Sequence, residues 1–184
     1  MANLTFANQL TLFRLLLVPV LVILVIYDRS GWALVTFVTA GITDGLDGVI
    51  ARRSGQLSDL GALLDPMADK LLLLSTFVVL TIPSLSLVNS LPIWLTVLVI
   101  SRDVIIVLTV AVVNLAVGRF TFKPSFLGKI ATCVYILTGS VTLFFNYLEQ
   151  VSIFVDVAVW ASLIITLVSG VHYIRHATRL VNQS

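Results

Sequence analysis

Residues 91–117 read LPIWLTVLVISRDVIIVLTVAVVNLAV, an apolar run interrupted by one charged pair, Arg102-Asp103. Drawn as a helix, the run is apolar on nearly every side and keeps no face for water. At ~1.5 Å per residue it is about 40 Å long, enough to cross the ~30 Å hydrocarbon core of a bilayer. Five more apolar segments flank it, at about Leu10–Tyr27, Gly31–Ala51, Leu60–Thr81, Phe126–Tyr147 and Val151–Tyr173. Six spans use up nearly all of the 184 residues, so no sizeable soluble domain fits beside them.

Composition agrees. The chain is 59% hydrophobic and only 11% charged, against about 25% charged in an ordinary soluble domain. Disorder and a cytosolic globule are excluded. A single cysteine, Cys133, excludes an intrachain disulfide and reads as inert packing in an apolar stretch. A net charge of +2, with no basic run longer than two, gives no reason to expect nucleic acid as a partner. The N-terminus lacks a charged n-region, so a cleavable signal peptide is not expected. The expected fold is a single all-α integral membrane domain over residues 1–184. It has six transmembrane helices and a short interfacial helix before Leu10.

Lys and Arg alternate between connections. Arg52 and Arg53 lie in the second, Arg119, Lys123 and Lys129 in or near the fourth, and Arg175 and Arg179 in the tail. The connections 82–90 and 148–152 have no Lys or Arg, and the first has only Arg29, next to Asp28. The positive-inside rule therefore places both termini in the cytoplasm. Tyr27, Trp32, Trp94 and Tyr147 fall near the opposite face, as interfacial aromatics.

Ionisable groups are costly in hydrocarbon, so an intramembrane cluster points to function. Asp44 and Asp47 lie near the cytoplasmic end of the second segment, Asp65 and Asp69 near the start of the third. Spacings of three and four put each pair on one helical face. Converging carboxylates need protons or cations to relieve their repulsion. An all-oxygen donor set suits two Mg²⁺ or Mn²⁺ ions, and a metal pair suits phosphoryl transfer. Gly48, Ala51 and Gly61 keep the backbone accessible to a bulky headgroup, and Arg52 offers a planar fork to a diphosphate.

The pattern Asp44-x2-Asp47-Gly48-x2-Ala51-Arg52-x8-Gly61-x3-Asp65-x3-Asp69 resembles, at every specified position, the motif of the CDP-alcohol phosphatidyltransferase family. The resemblance implies six membrane helices, commonly in a homodimer, and displacement of CMP from a CDP-activated alcohol, usually CDP-diacylglycerol. It implies that Asp44, Asp47, Asp65 and Asp69 hold two metal ions and that Asp69 is the general base. It also implies that Gly48, Ala51, Arg52 and Gly61, with Asp44 and Asp65, bind the CDP group. Asn8-x2-Thr11-x2-Arg14 with Pro19 resembles the family's first-helix entry, with Ala7 where a proline is usual. Thr11 and Arg14 are thus possible site residues, Arg14 facing the cytoplasmic cavity.

Asp65-Pro66-x-Ala68-Asp69-Lys70 resembles the glycerol branch of the family, and so does Ser169-Gly170-x-His172-Tyr173. The acceptor is then sn-glycerol 3-phosphate or phosphatidylglycerol. Both carry phosphate, for which Arg102, Lys123 and Lys129 are the candidate cations, with Asp103 orienting Arg102. The balance tilts to sn-glycerol 3-phosphate, and the alternative is a CMP-forming cardiolipin synthase. The expected location is a bacterial-type inner membrane with the active site at the cytoplasmic face. A small ion-coupled transporter is the remote alternative.

Overall fold

The computed structural model describes residues 6–54, 59–117 and 126–181, with side chains described outside 6–8, 10, 44–54, 59–67, 69, 110–117, 174 and 176–181. The described residues form six α-helices and a single 3₁₀ turn: α1 (Phe6–Ile26), α2 (Ser30–Ser54), α3 (Asp59–Thr81), the turn Pro83–Leu85, α4 (Ile93–Val117), α5 (Phe126–Tyr147) and α6 (Ile153–Val181). The all-helical expectation stands. No separate helix precedes Leu10 among the described residues: from Phe6 onward the chain is already the first turn of α1, and residues 1–5 lie outside them.

Among the described residues, two helical stretches, Phe126–Tyr147 and Ile153–Tyr173, are long and apolar enough to cross a membrane. Shorter apolar stretches cover Thr11–Ile26, Ser30–Thr43 and Lys70–Thr81.

The chain forms two compact units, one of Met1–Ser90 with Gly139–Ser152, the other of Leu91–Thr138 with Ile153–Ser184. In the first, α1 packs against both α2 and α3. Its inward stripe is Thr11, Arg14, Leu21 and Val25, and Leu12, Leu16, Val20 and Ile23 face outward. On α2 the buried stripe is Ala33, Phe37 and Ala40, and on α3 it includes Leu73, Thr76, Phe77 and Leu80. Small residues at Ala33 and Ala40 allow helices to approach closely, the device of membrane bundles. Gly139 on α5 has the same use: a Cβ there would lie 3.2 Å from Phe37 Cζ and 3.5 Å from Thr76 Cγ2.

Helices α1 and α5 end alike. The Arg29 amide donates to the Leu24 carbonyl and the Asp28 amide to that of Val25, with Asp28 left-handed at φ 55°. After α5, Gln150 and Glu149 repeat the pattern onto Phe145 and Asn146, with Glu149 at φ 54°. These are Schellman closures in which an acidic residue stands where glycine is usual.

Asn89 fastens the 82–90 connection. Its amide donates to Asn146 Oδ1 at 2.7 Å, and its carbonyl accepts from Asn146 Nδ2 at 2.9 Å. Asn89 Nδ2 donates to the Gln150 carbonyl at 2.8 Å, and Asn89 Oδ1 accepts from the Ser152 amide at 3.2 Å.

In the second unit α4 packs on α6, and Trp94 and Trp160 meet at 6.2 Å between ring centroids. Hydroxyl pairs tie α5 to α6: Tyr135 with Thr166 at 2.6 Å and Thr138 with Ser162 at 2.8 Å. Cys133, expected to be packed, is exposed on α5. An apolar stretch in a membrane protein has an outward face as well as an inward one, and Cys133 falls on the outward face.

Candidate active site

The motif falls on two helices. Asp44, Asp47, Gly48, Ala51 and Arg52 lie in the last three turns of α2, and Gly61, Asp65 and Asp69 in the first three turns of α3. The side chains of these eight residues lie outside the described ones. Their helical register puts Asp44 with Asp47, and Asp65 with Asp69, on common faces. A carboxylate-only donor set fits a hard divalent cation.

The neighbouring side chains are described. Ala68, between Pro66 and Asp69, is fully buried, so this turn of α3 packs closely. Lys70 is exposed. On α1, Thr11 and Arg14 are both 0% exposed. A guanidinium held entirely inside is not an interfacial side chain reaching for water. Arg14 is on the inward face of the helix that contacts both motif helices.

Among the described residues, Arg102 is the proposed acceptor ligand with a built environment. It is buried midway along α4, where its Nη1 donates to Asp103 Oδ1 at 2.6 Å and its Nε to Ser169 Oγ at 3.2 Å. The Arg102–Asp103 pairing was expected. The Ser169 contact was not, although Ser169 opens the C-terminal pattern noted in the sequence. Fixing two edges of a guanidinium presets the direction of the remaining N–H groups. The polar line continues on α6 through Thr166 and Ser162 to their α5 partners. Lys129 is exposed on the first turn of α5, and among the described residues it makes no hydrogen bond or ion pair with Arg102. Lys123 lies outside the described residues.

Residues 4–168 match the family model described as CDP-alcohol phosphatidyltransferase. With most of the chain covered, this protein belongs to the CDP-alcohol phosphatidyltransferase family and is a transferase of phospholipid biosynthesis. It is 36% identical to a "Probable phosphatidylglycerophosphate synthase" of Mycobacterium tuberculosis, over 94% of this chain and 81% of the relative. It is 31% identical to a CDP-diacylglycerol–glycerol-3-phosphate 3-phosphatidyltransferase of Bacillus subtilis, over 90% and 91%. A CMP-forming cardiolipin synthase of Streptomyces coelicolor is 38% identical over 70% of this chain and 60% of its own. The transporter alternative falls with this membership, and divalent metal ions belong to the family's chemistry in general.

Proposed function

We propose that this protein transfers the phosphatidyl group of CDP-diacylglycerol to sn-glycerol 3-phosphate, giving phosphatidylglycerophosphate and CMP. One observation carries the reading: the two helices bearing the motif both pack on α1, whose buried face holds Thr11 and Arg14. The relatives of M. tuberculosis and B. subtilis, matched over most of their length, support the acceptor.

In this reading Asp44, Asp47, Asp65 and Asp69 hold two Mg²⁺ or Mn²⁺ ions. When bound, these ions supply positive charge against the phosphates of the substrate. Gly48, Ala51, Arg52 and Gly61, with Asp44 and Asp65, hold the CDP group. Asp69 accepts the proton of the acceptor hydroxyl. The hydroxyl oxygen bonds to the lipid-bearing phosphorus, the phosphoanhydride bond breaks, and its electron pair leaves with CMP. Arg102, Lys123 and Lys129 bind the acceptor's phosphate, with Arg102 preset by Asp103 and Ser169.

The fold goes with this reading. Six helices span a bacterial-type inner membrane, both termini and the active site face the cytoplasm, and residues 1–184 act as one catalytic domain. The homodimer follows from the family resemblance.

A second reading, cardiolipin synthesis with phosphatidylglycerol as acceptor, is favoured by Ser101-Arg102-Asp103 and by the S. coelicolor relative. CMP release by the purified protein, with CDP-diacylglycerol, Mg²⁺ and either acceptor, separates the two. Release with sn-glycerol 3-phosphate alone supports the first, release with phosphatidylglycerol alone the second, and silence with both rejects the glycerol branch.

A further inference from the structure

At the end of α2 remote from the motif, a cavity of about 610 Å³ lies between the α1–α2 turn and the end of α5. From Ser30 to Asp44 is about 21 Å along the helix at ~1.5 Å per residue, so this is not the substrate site. Asp28, Arg29, Ser30, Trp32, Tyr147 and Glu149 line it.

Leu34, Val35 and Phe144 make part of the wall apolar, and several of the polar groups beside them are uncommitted. Ser30 is 4% exposed, and among the described residues its Oγ has no hydrogen-bond partner. A buried hydroxyl without a partner is costly, and Ser30 is among the residues that line the cavity. The Arg29 carbonyl accepts from the Ala33 amide at 3.0 Å, which makes Arg29 the N-cap of α2. The amides of Ser30, Gly31 and Trp32 therefore have no carbonyl ahead of them, at the positive end of the helix. The left-handed Asp28 and Glu149 come from different helices and line the same space. Among the described residues neither they nor Arg29 form a salt bridge. Trp32 and Tyr147 are exposed, and the Tyr147 ring covers Gly31, where a Cβ would stand 2.6 Å from Cδ2.

We propose that this cavity binds the headgroup of a zwitterionic phospholipid. The phosphate sits on the Ser30 hydroxyl, the free amides of α2 and Arg29, and the ammonium sits between Asp28 and Glu149 beside Trp32. Two carboxylates against one guanidinium leave the rim net negative. That disfavours free phosphate and favours a ligand bringing both charges. The inference rests on the membrane-spanning reading only for the leaflet that supplies the lipid.

The test uses the full chain in nonionic detergent. Of its three tryptophans, Trp94→Phe and Trp160→Phe leave Trp32 as the reporter. Dihexanoyl-phosphatidylethanolamine is expected to change Trp32 emission saturably. Ser30→Ala or Arg29→Gln is expected to weaken its binding roughly tenfold, the loss of one charge-assisted contact. Asp28→Asn with Glu149→Gln should abolish the preference over dihexanoyl-phosphatidylglycerol. Equal binding of both lipids by the parent, or saturation by inorganic phosphate alone, overturns the proposal. Native mass spectrometry of the unaltered chain from mixed micelles is the second measurement. Selective retention of phosphatidylethanolamine supports the site, and equal retention overturns it. CMP release is followed on the same samples and should be unchanged by Ser30→Ala and Arg29→Gln. Headgroup binding without CMP release would reject the enzymatic reading and leave this site standing; release without selective binding would reject the site alone.

Discussion

Arg102 on α4 donates from Nε to the hydroxyl of Ser169 on α6, at 3.2 Å, with both side chains buried. Its Nη1 is held by Asp103. Ser169→Ala should loosen the guanidinium while keeping its charge. The expected result is a several-fold rise in KM for the acceptor, from the loss of a hydrogen bond worth about 1 kcal/mol, with KM for CDP-diacylglycerol unchanged. Arg102→Met should cost about 3–5 kcal/mol of stability, because it breaks a buried ion pair from one side. Thermal unfolding in detergent should show Arg102→Met with Asp103→Leu to be the more stable variant.

Asp69→Asn removes the proposed base and changes little in volume. CMP release should fall by about 10²–10⁴-fold, with the helical circular dichroism and the melting temperature near those of the parent. Full activity in this variant would remove Asp69 from the base role.

Chelation should abolish CMP release. Mg²⁺ or Mn²⁺ should restore it and Zn²⁺ should not, since four carboxylates form a hard donor set without nitrogen or sulfur. A metal titration of the chelated protein checks this directly.

Gly139 is already at contact distance from Phe37 and Thr76. Gly139→Val should overfill this packing and lower stability by about 1–3 kcal/mol. Pairing it with Phe37→Leu should recover part of the loss, read as the melting temperature of the double variant against the single.

Glu149 holds a left-handed conformation that costs a side-chain-bearing residue about 1–2 kcal/mol. Glu149→Gly should therefore raise the melting temperature by about 2–8 °C. The same change should weaken phosphatidylethanolamine binding, exchanging a headgroup contact for stability.

Local pattern carried most of the fold. The fifth segment, expected at about Phe126–Tyr147, coincides with α5, a predominantly apolar run bounded in sequence by Lys123-Pro124-Ser125 and Glu149-Gln150. The sixth apolar segment, expected at about Val151–Tyr173, matches the apolar stretch Ile153–Tyr173, and the helix itself runs on to Val181. Helical hydrogen bonding does not end where hydropathy does, and the polar residues after Tyr173 continue the same helix. The motif was legible because its carboxylates are unusual in such a chain and are spaced by helical turns. The contact of Arg102 with Ser169 was not, since a serine 67 residues away looks like any other small residue in an apolar helix. Asn89 and Asn146 raise the same difficulty: each is an ordinary polar residue until the fold brings them together. Arg14 shows the limit from the other side, for its position allowed either a snorkelling or an enclosed guanidinium, and only packing on α1 decides it.

Helix α1 contributes none of the four motif carboxylates, yet it touches both helices that do. It therefore works as a shim. If the acids hold metal ions as proposed, the spacing of the two helices beside them would follow the bulk of Thr11 and Arg14, toward the N-terminal end of its buried face. Under the proposed metal role, selectivity between a smaller and a larger ion is adjustable from a helix without a single ligand. Variants selected for altered ion preference should then collect on α1, where a search confined to the aspartates would not look.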